Sequence, residues 1–225
     1  MWNLPPPRGF QGLREDLPLS VYVRHLPHWR QDGATYFVTY RLNDSLPKNK
    51  PRQLESIKRQ WEQEHPAPQT KEVMDMLARE VFLRVERWLD AGYGECVLRT
   101  PANAELTTEP MHQFDSIRYE LGCYVVMLNH VHVVVRPTHS DSQPLEQIVK
   151  SWKSHSGRHI NEGLSRTGAL WQAESYDRII RNEEHLWRVI QYIGDNPRHA
   201  GLSIKECPVW IRPEWEQLGW RFEVK

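Results

Sequence analysis

The chain has 225 residues, of which 39% are hydrophobic and 26% are charged, so it is long enough to form one domain of ordinary size with a buried core. Its 29 basic and 29 acidic side chains cancel, so the net charge gives no argument for a nucleic-acid partner, and any electrostatic case must be local. No run of about 18 apolar residues occurs, which argues against a membrane-spanning helix, and the lack of a Cys-x-x-Cys pair argues against a zinc ribbon.

The elements predicted from the sequence alternate between strands and helices. Residues 1–25 are rich in proline and predict an irregular N-terminal arm. Hydrophobic periodicity then predicts, in chain order, a strand over 34–42, helices over 52–65 and 70–90, a short strand over 95–98, a helix over 108–119, a hairpin of strands 123–127 and 131–135, a helix over 145–161, a strand over 171–180, and a helix over 182–195 that Pro197 ends.

This order of elements is typical of an α+β fold. The best match is the ferredoxin-like or RRM-like split βαβ arrangement, with an antiparallel sheet, helices packed on one face, and an extra C-terminal helix that carries Tyr192. We expect the main domain to cover residues 26–202. A Trp-rich extension over 203–225 is expected to pack on it.

Two histidines at the start of the second hairpin strand form a candidate metal site. His130 and His132 are two residues apart, and side chains with this spacing point to the same face of a strand, while Val131 points into the core. Two imidazoles leave the coordination of a divalent ion incomplete, so a further protein ligand and water or a phosphate oxygen must complete it. The alternative is a pair of hydrogen-bonded or solvated strand histidines without a metal.

The last predicted helix carries a candidate nucleophile. Tyr192 and Asn196 are one helical turn apart on the stripe that also holds Arg188. A tyrosine hydroxyl can attack phosphorus and form a covalent phosphotyrosine link, and Asn196 could supply an oxygen ligand to the metal. Tyr176 and Tyr124 are competing tyrosines, and Tyr192 could instead only pack its ring at the edge of the core.

A local basic stretch on the helix over 145–161 is a candidate DNA contact. Lys150, Lys153 and Arg158 follow one another without an intervening acid, and Trp152 lies among them as a possible base-stacking side chain. Arg188 could also bind phosphate. An ordinary solvated helix face with Trp152 in the core explains the same pattern.

Several segments, in the same order, resemble one family. The stretch 127–137 resembles the HUH motif of single-tyrosine transposases, although Leu128 stands where that family usually has proline. Further stretches look like the REP-associated tyrosine transposases, namely 26–29, 34–39, 170–181, 192–197 and 200–201. The resemblance covers roughly residues 25–202, which would then form an HUH single-tyrosine nuclease domain.

The resemblance implies a specific chemistry. His130, His132 and Asn196 would be ligands of Mg²⁺ or Mn²⁺, and Tyr192 would be the nucleophile. The family cleaves single-stranded DNA beside hairpins formed by repetitive extragenic palindromes, leaving a 5′-phosphotyrosine and a free 3′-OH that can rejoin strands in transposition. The expected partner is therefore single-stranded DNA with a hairpin, bound by a monomer, although other single-tyrosine transposases are dimers.

Two other functions stay open at this point. A catalytically inactive or domesticated single-stranded nucleic-acid-binding protein could use the same fold. A metallohydrolase that uses water as nucleophile would need more carboxylate ligands than the sequence around His130 offers. The cysteines Cys96, Cys123 and Cys207 are expected to be buried reduced thiols, which is typical of a cytoplasmic protein.

Overall fold

The computed structural model describes residues 3–24, 27–138 and 143–223. The strands of these residues are β1 Ser20–Val23, β2 Pro27–Arg30, β3 Tyr36–Arg41, β4 Tyr119–Val126, β5 His130–Pro137, β6 Tyr176–Ile179 and β7 Val209–Ile211. The helices are α1 Lys50–Glu64, α2 Lys71–Asp90, α3 Pro101–Gln113, α4 Leu145–Gly163, α5 Glu183–His199 and α6 Pro213–Gln217. None of these helices is both long enough and apolar enough to cross a membrane.

A five-stranded antiparallel sheet organises the fold. Its strand order is β6-β3-β5-β4-β7. The helix α3 lies between β3 and β4 in the chain, and α4 lies between β5 and β6. This is the split βαβ arrangement of the ferredoxin-like fold, so the predicted fold class is confirmed, with β7 added at one edge.

The two faces of the sheet bury different sets of residues. Val131, Val133 and Val135 of β5 belong to a core cluster shared with α3 and α4. The alternate residue Val134 belongs to a second cluster, which contains the apolar residues of α5. The helix α2 lies on this second face too, since Phe82 packs against that cluster. Helices therefore cover both faces of the sheet. The expectation that the helices pack on one face holds for α3 and α4, but α2 lies with α5 on the other face.

Several elements differ from the prediction. Residues 97–99 form a 3-10 turn instead of a strand, and α3 begins at Pro101 because proline is favoured in the first turn of a helix. The strand expected over 171–180 is shorter, since β6 covers only Tyr176–Ile179. The arm expected to be irregular contains β1, which pairs with β2. Residues 25 and 26, the start of one segment of the family resemblance, lie outside the described residues.

The end of α5 is the correction that matters for the site. The helix was expected to stop before Pro197, but it continues to His199 with the proline inside it. Asn196 therefore lies in regular helix, and the spacing of four residues from Tyr192 places both side chains on one side of α5.

The C-terminal segment packs on the domain and is hydrogen-bonded to the N-terminal arm. Trp215 and Trp220 are buried in the same cluster as the apolar face of α5. Their indole nitrogens donate to the carbonyl oxygens of Arg8, at 3.1 Å, and Pro5, at 2.8 Å. At Gly122 a Cβ atom would lie 2.4 Å from the Trp215 ring, so only glycine allows this close approach.

Candidate metal and tyrosine site

His130 and His132 lie side by side on the floor of the site. Both are buried, and their Nε2 atoms are 3.1 Å apart. The Nδ1 atom of each ring forms a hydrogen bond on the side away from the other histidine. His130 Nδ1 is 2.8 Å from Asn129 Oδ1, and His132 Nδ1 is 2.7 Å from Thr39 Oγ1. Such outer hydrogen bonds fix the ring orientation of a metal-binding histidine.

Asn129 also fixes the tautomer of His130. Its amide nitrogen donates to the carbonyl oxygens of Leu89 and Tyr93, so its Oδ1 is left as an acceptor. His130 therefore donates from Nδ1, and its Nε2 carries the lone pair that faces His132. This is the form in which an imidazole binds a metal ion.

The helix α2 supplies a carboxylate that the sequence analysis missed. Glu86 Oε2 lies 3.0 Å from His132 Nε2. Glu86, His130 and His132 form a buried group that could hold a metal ion, with ligand atoms all within 4.8 Å of one another. One signal existed in the sequence, because Phe82, Glu86 and Asp90 repeat every four residues beside the apolar stripe of this helix.

Tyr192 reaches the same point from α5. Its hydroxyl donates a hydrogen bond to Glu86 Oε2, and its ring centroid is 5.2 Å from that of His132. Asn196 is 1% exposed and lies close enough to influence the pKa of both His130 and Tyr192. The structure therefore brings together the four residues that the sequence singled out, namely His130, His132, Tyr192 and Asn196.

Two oxygens of the site have no hydrogen-bond partner among the described residues. Glu86 Oε1 and Asn196 Oδ1 are both buried and unpaired. Leaving a buried acceptor without a partner costs about 1–3 kcal/mol, so a cation that both oxygens could approach would remove this cost. Two imidazole nitrogens with carboxylate and amide oxygens are a donor set that suits a divalent metal ion.

The pKa shifts set the protonation state of the site. Burial, helped by His132, lowers the pKa of His130 to about 3, so this ring is neutral. Burial alone would raise the pKa of Glu86, but the interaction with His132 outweighs it and keeps the pKa below its usual value. Burial and the Glu86 carboxylate raise the pKa of Tyr192, so the hydroxyl keeps its proton.

The competing tyrosines are placed differently. Tyr124 belongs to the cluster on the opposite face of the sheet, where its hydroxyl is 3.0 Å from His112 Nε2. Tyr176 is on the face of the site, with its ring stacked on Phe82 at 4.3 Å. Of the three tyrosines considered, only Tyr192 has a hydroxyl bonded to Glu86.

The expected DNA contacts separate into two groups. Lys150, Lys153 and Arg158 line one cleft of about 830 Å³ beside α4 and β6, together with three arginines. Those arginines are Arg24, Arg30 and Arg166. We call this the basic cleft.

Two of the expected contacts lie outside this cleft. The prediction that Trp152 stacks on bases is wrong, because its ring is 1% exposed and its Nε1 donates to the Tyr119 hydroxyl inside the core. Arg188 is exposed on α5 and pairs with Glu184 at 3.7 Å.

A second groove leads to Glu86, one of the three residues that could hold a metal ion. It has a volume of about 400 Å³ and lies between the sheet and the helices α1 and α2, with Thr39, Arg41 and Glu86 in its walls. We call it the site groove. Glu174 and Ser175 line both this groove and the basic cleft. The two depressions therefore meet at the segment that precedes β6.

Comparison with solved structures finds a similarity in fold. The chain is similar to a REP-associated tyrosine transposase bound to a REP hairpin, with 15% sequence identity and a TM-score of 0.39, over 82% of this chain and 76% of that one. No family model and no curated protein matches the chain. A likeness this weak leaves the function to be inferred from the site itself.

Proposed function

We propose that the protein is a metal-dependent single-stranded DNA endonuclease and strand transferase of the single-tyrosine type, acting beside DNA hairpins. The observation that carries the proposal is the meeting of Tyr192 with Glu86, His130 and His132 at one buried point. A tyrosine that only packed at the edge of the core would not need its hydroxyl on a metal-binding carboxylate. The hairpin and the REP element come from the sequence resemblance.

The chemistry follows from the positions of these side chains. Tyr192 Oη attacks the phosphorus atom, the new Oη–P bond forms, and the P–O3′ bond breaks. The tyrosine proton moves along the existing hydrogen bond to Glu86 Oε2 and passes from there to the departing 3′ oxygen, which becomes a free 3′-OH. The products are a 5′-phosphotyrosine and a strand end that can attack it in the reverse reaction, so strands are rejoined without an external energy source.

The metal fits this site as a charge-stabilising group. His130, His132 and Glu86 would hold a divalent ion, Mg²⁺ or Mn²⁺, and Asn196 is a further candidate ligand. When bound, such an ion stabilises the negative charge that develops on the phosphate oxygens. The residues of the chain hold the strand, orient the phosphate and carry the proton.

Covalent trapping tests the nucleophile. The protein is incubated with hairpin-bearing single-stranded DNA and Mn²⁺, and the mixture is resolved on a denaturing gel. We expect a protein–DNA adduct with the wild type and with Tyr176→Phe, and none with Tyr192→Phe. Tyr176 is a matched control because it is a second tyrosine on the same face, stacked on Phe82 instead of bonded to Glu86. An adduct that persists in Tyr192→Phe would contradict the proposal.

The carboxylates at the site favour one second candidate, a phosphodiester hydrolase with water as nucleophile. Glu86 is at the histidine pair, and Asp90 follows one turn later on α2 with its pKa raised to about 6 by burial and by Glu86. A hydrolase would cut DNA without any adduct and would keep its activity in Tyr192→Phe. Loss of cutting in the His130→Ala, His132→Ala double variant is expected for both enzymes and distinguishes them from an inactive binding protein.

A further inference from the structure

Arg41 lines the site groove and has no ion-pair partner among the described residues. It follows Thr39 by two residues in β3, so both side chains lie on the face that carries His132, and it pairs in register with His130. Its guanidinium donates only to neutral oxygens, Leu42 O at 3.3 Å and Ser45 Oγ at 3.2 Å. Among the described residues, no carboxylate forms an ion pair with it.

The acidic residues of the same groove are engaged elsewhere. Glu86 is bonded to His132 and Tyr192, Glu55 pairs with Arg59 at 3.6 Å, and Glu174 lies 3.1 Å from His28 Nε2. A partly buried guanidinium without a counter-charge loses hydration and gains little in return. Burial accordingly lowers the pKa of Arg41 to about 10.

A second cation stands close by, at the junction of the two depressions. Lys153 lines the basic cleft, and its Nζ donates to Ala173 O at 2.8 Å and to Ser175 Oγ at 3.4 Å. Burial and the neighbouring charge of Arg41 lower the pKa of Lys153 to about 8. Two cations that repel each other are thus held where the basic cleft meets the site groove.

We propose that Arg41 and Lys153 form a phosphate-binding pair, which takes a backbone phosphodiester of the single strand where it passes from the basic cleft into the site groove. A phosphodiester carries one negative charge on two oxygens that can accept hydrogen bonds from both side chains. It would supply the anion that Arg41 lacks among the described residues. The inference rests on the proposed function for the identity of the strand, and it adds a strand path that ends at Glu86, the hydrogen-bond partner of Tyr192.

Binding without chemistry tests the pair. Affinity for a short fluorescent oligothymidylate is measured by anisotropy over a range of salt concentrations, with Tyr192→Phe as the parent and with a chelator present. We expect Arg41→Met to weaken binding by about ten-fold or more. The slope of log affinity against log salt should become shallower by about 0.7, the value for one phosphate contact on a single strand.

Two control variants and a Tm measurement separate the loss of the Arg41 charge from a loss of folding. Arg14→Met removes one exposed arginine that pairs with Asp16 and lines neither depression, and it should leave the affinity nearly unchanged. Arg41→Lys keeps the charge, so it should keep the salt slope of the parent. The Tm of Arg41→Met should be equal to or above that of the parent, because an unpaired buried charge is removed. Equal weakening in Arg14→Met, or a changed slope in Arg41→Lys, would overturn the inference.

Two further readouts keep this inference distinct from the proposed function. Inorganic phosphate should give no Arg41-dependent rise in Tm, and such a rise would mean that the pair takes free phosphate instead of a strand. Since the binding assay needs neither metal nor nucleophile, a wild type that forms no covalent adduct would leave its result intact. Adduct formation together with unaltered binding by Arg41→Met would overturn the phosphate pair alone.

Discussion

Glu86 connects the two halves of the site, because one of its oxygens contacts both a histidine of β5 and the tyrosine of α5. The same carboxylate could therefore hold a metal ion and accept the proton of the Tyr192 hydroxyl. Its second oxygen is buried without a hydrogen-bond partner among the described residues. This makes the charge of Glu86, more than its size, the property on which the site depends.

Replacing that charge gives a direct prediction. Glu86→Gln keeps the shape of the side chain but removes the anionic ligand, so we expect Mn²⁺ to bind at least ten-fold more weakly in isothermal titration calorimetry. Glu80→Gln is the matched control, since Glu80 is on the same helix but pairs with Arg84 on its exposed side, at 2.6 Å. Equal losses in the two variants, or an unchanged affinity in Glu86→Gln, would contradict the role of Glu86 as a ligand.

The sequence indicated the parts of the site that depend on local geometry. The spacing of two in a strand predicted that His130 and His132 share a face, and the spacing of four in a helix predicted that Tyr192 and Asn196 do. The spacing of four also places Glu86 beside the apolar stripe of α2, but it could not bring Glu86 to the histidines, because that contact depends on how α2 packs across the sheet. The burial of Trp152 was likewise decided by α3 and α4 packing on the far face.

Among the elements, β2, β6 and α4 are tied together by a buried charge network beside the basic cleft. His28 of β2 bonds Asp177 of β6 at 2.6 Å, and Arg30 bonds both Asp177 and Glu146 of α4. His28 is 3% exposed. Burial alone would lower its pKa, but the bonds to Asp177 and Glu174 outweigh burial and raise the pKa to about 9. The imidazolium is therefore charged at neutral pH.

This network predicts a pH-dependent stability. The pKa of His28 rises from 6.5 in the unfolded chain to about 9 in the fold, so its contribution is complete below pH 6.5 and is lost as the pH rises through 9. In urea unfolding, His28→Gln should be less stable than wild type by roughly 2 kcal/mol at pH 6. That difference should shrink towards pH 10.

A histidine outside the network provides the control for this measurement. His159→Gln removes a histidine that pairs only with Glu162, at 3.2 Å on the surface of α4, and should show no such trend. A His28→Gln deficit that stays constant from pH 6 to pH 10 would contradict the assignment of the charge to His28.

The elements themselves were predictable where periodicity is long and regular, as in α2, α4 and the β4–β5 hairpin. The prediction failed where a proline decides the boundary. Pro101 begins α3 earlier than expected, and Pro197 is contained in α5 because the last turn continues past it to His199. A proline removes only its own N–H, so a helix can carry one near its end when tertiary packing fixes the turn. Here Ile193 and Asn196, both buried, hold that turn against the sheet.

At the scale of the whole molecule, the two faces of the sheet carry different elements. One face packs against α3 and α4. The other is covered by α2, by α5 and by the tryptophans of the C-terminal segment. The site lies between α2 and α5. A change that destabilises the core cluster on this face should therefore also displace Glu86 and Tyr192. The residues after 202 are in this sense a part of the site's support.

Trp220 is the side chain that tests this support. It is fully buried, and its ring centroid is 6.2 Å from that of Trp187. Its indole nitrogen donates to Pro5 O at 2.8 Å, and this bond anchors the N-terminal arm. Trp220→Ala should cost about 3–5 kcal/mol in the free energy of unfolding, since a large buried ring is lost. It should also release the arm, so that trypsin cuts after Arg8 under native conditions.

A tryptophan outside the core gives the comparison. Trp61 lies on α1, a helix without buried residues, where its ring stacks on His65 at 4.4 Å. Trp61→Ala should therefore cost less than about 1 kcal/mol and leave the Arg8 site protected. If the tail were only an appendage, the two variants would unfold at the same urea concentration and Arg8 would be cut equally in both. The expected difference would instead show that the N-terminal arm and the C-terminal segment together cover the face on which Tyr192 meets Glu86 and His132.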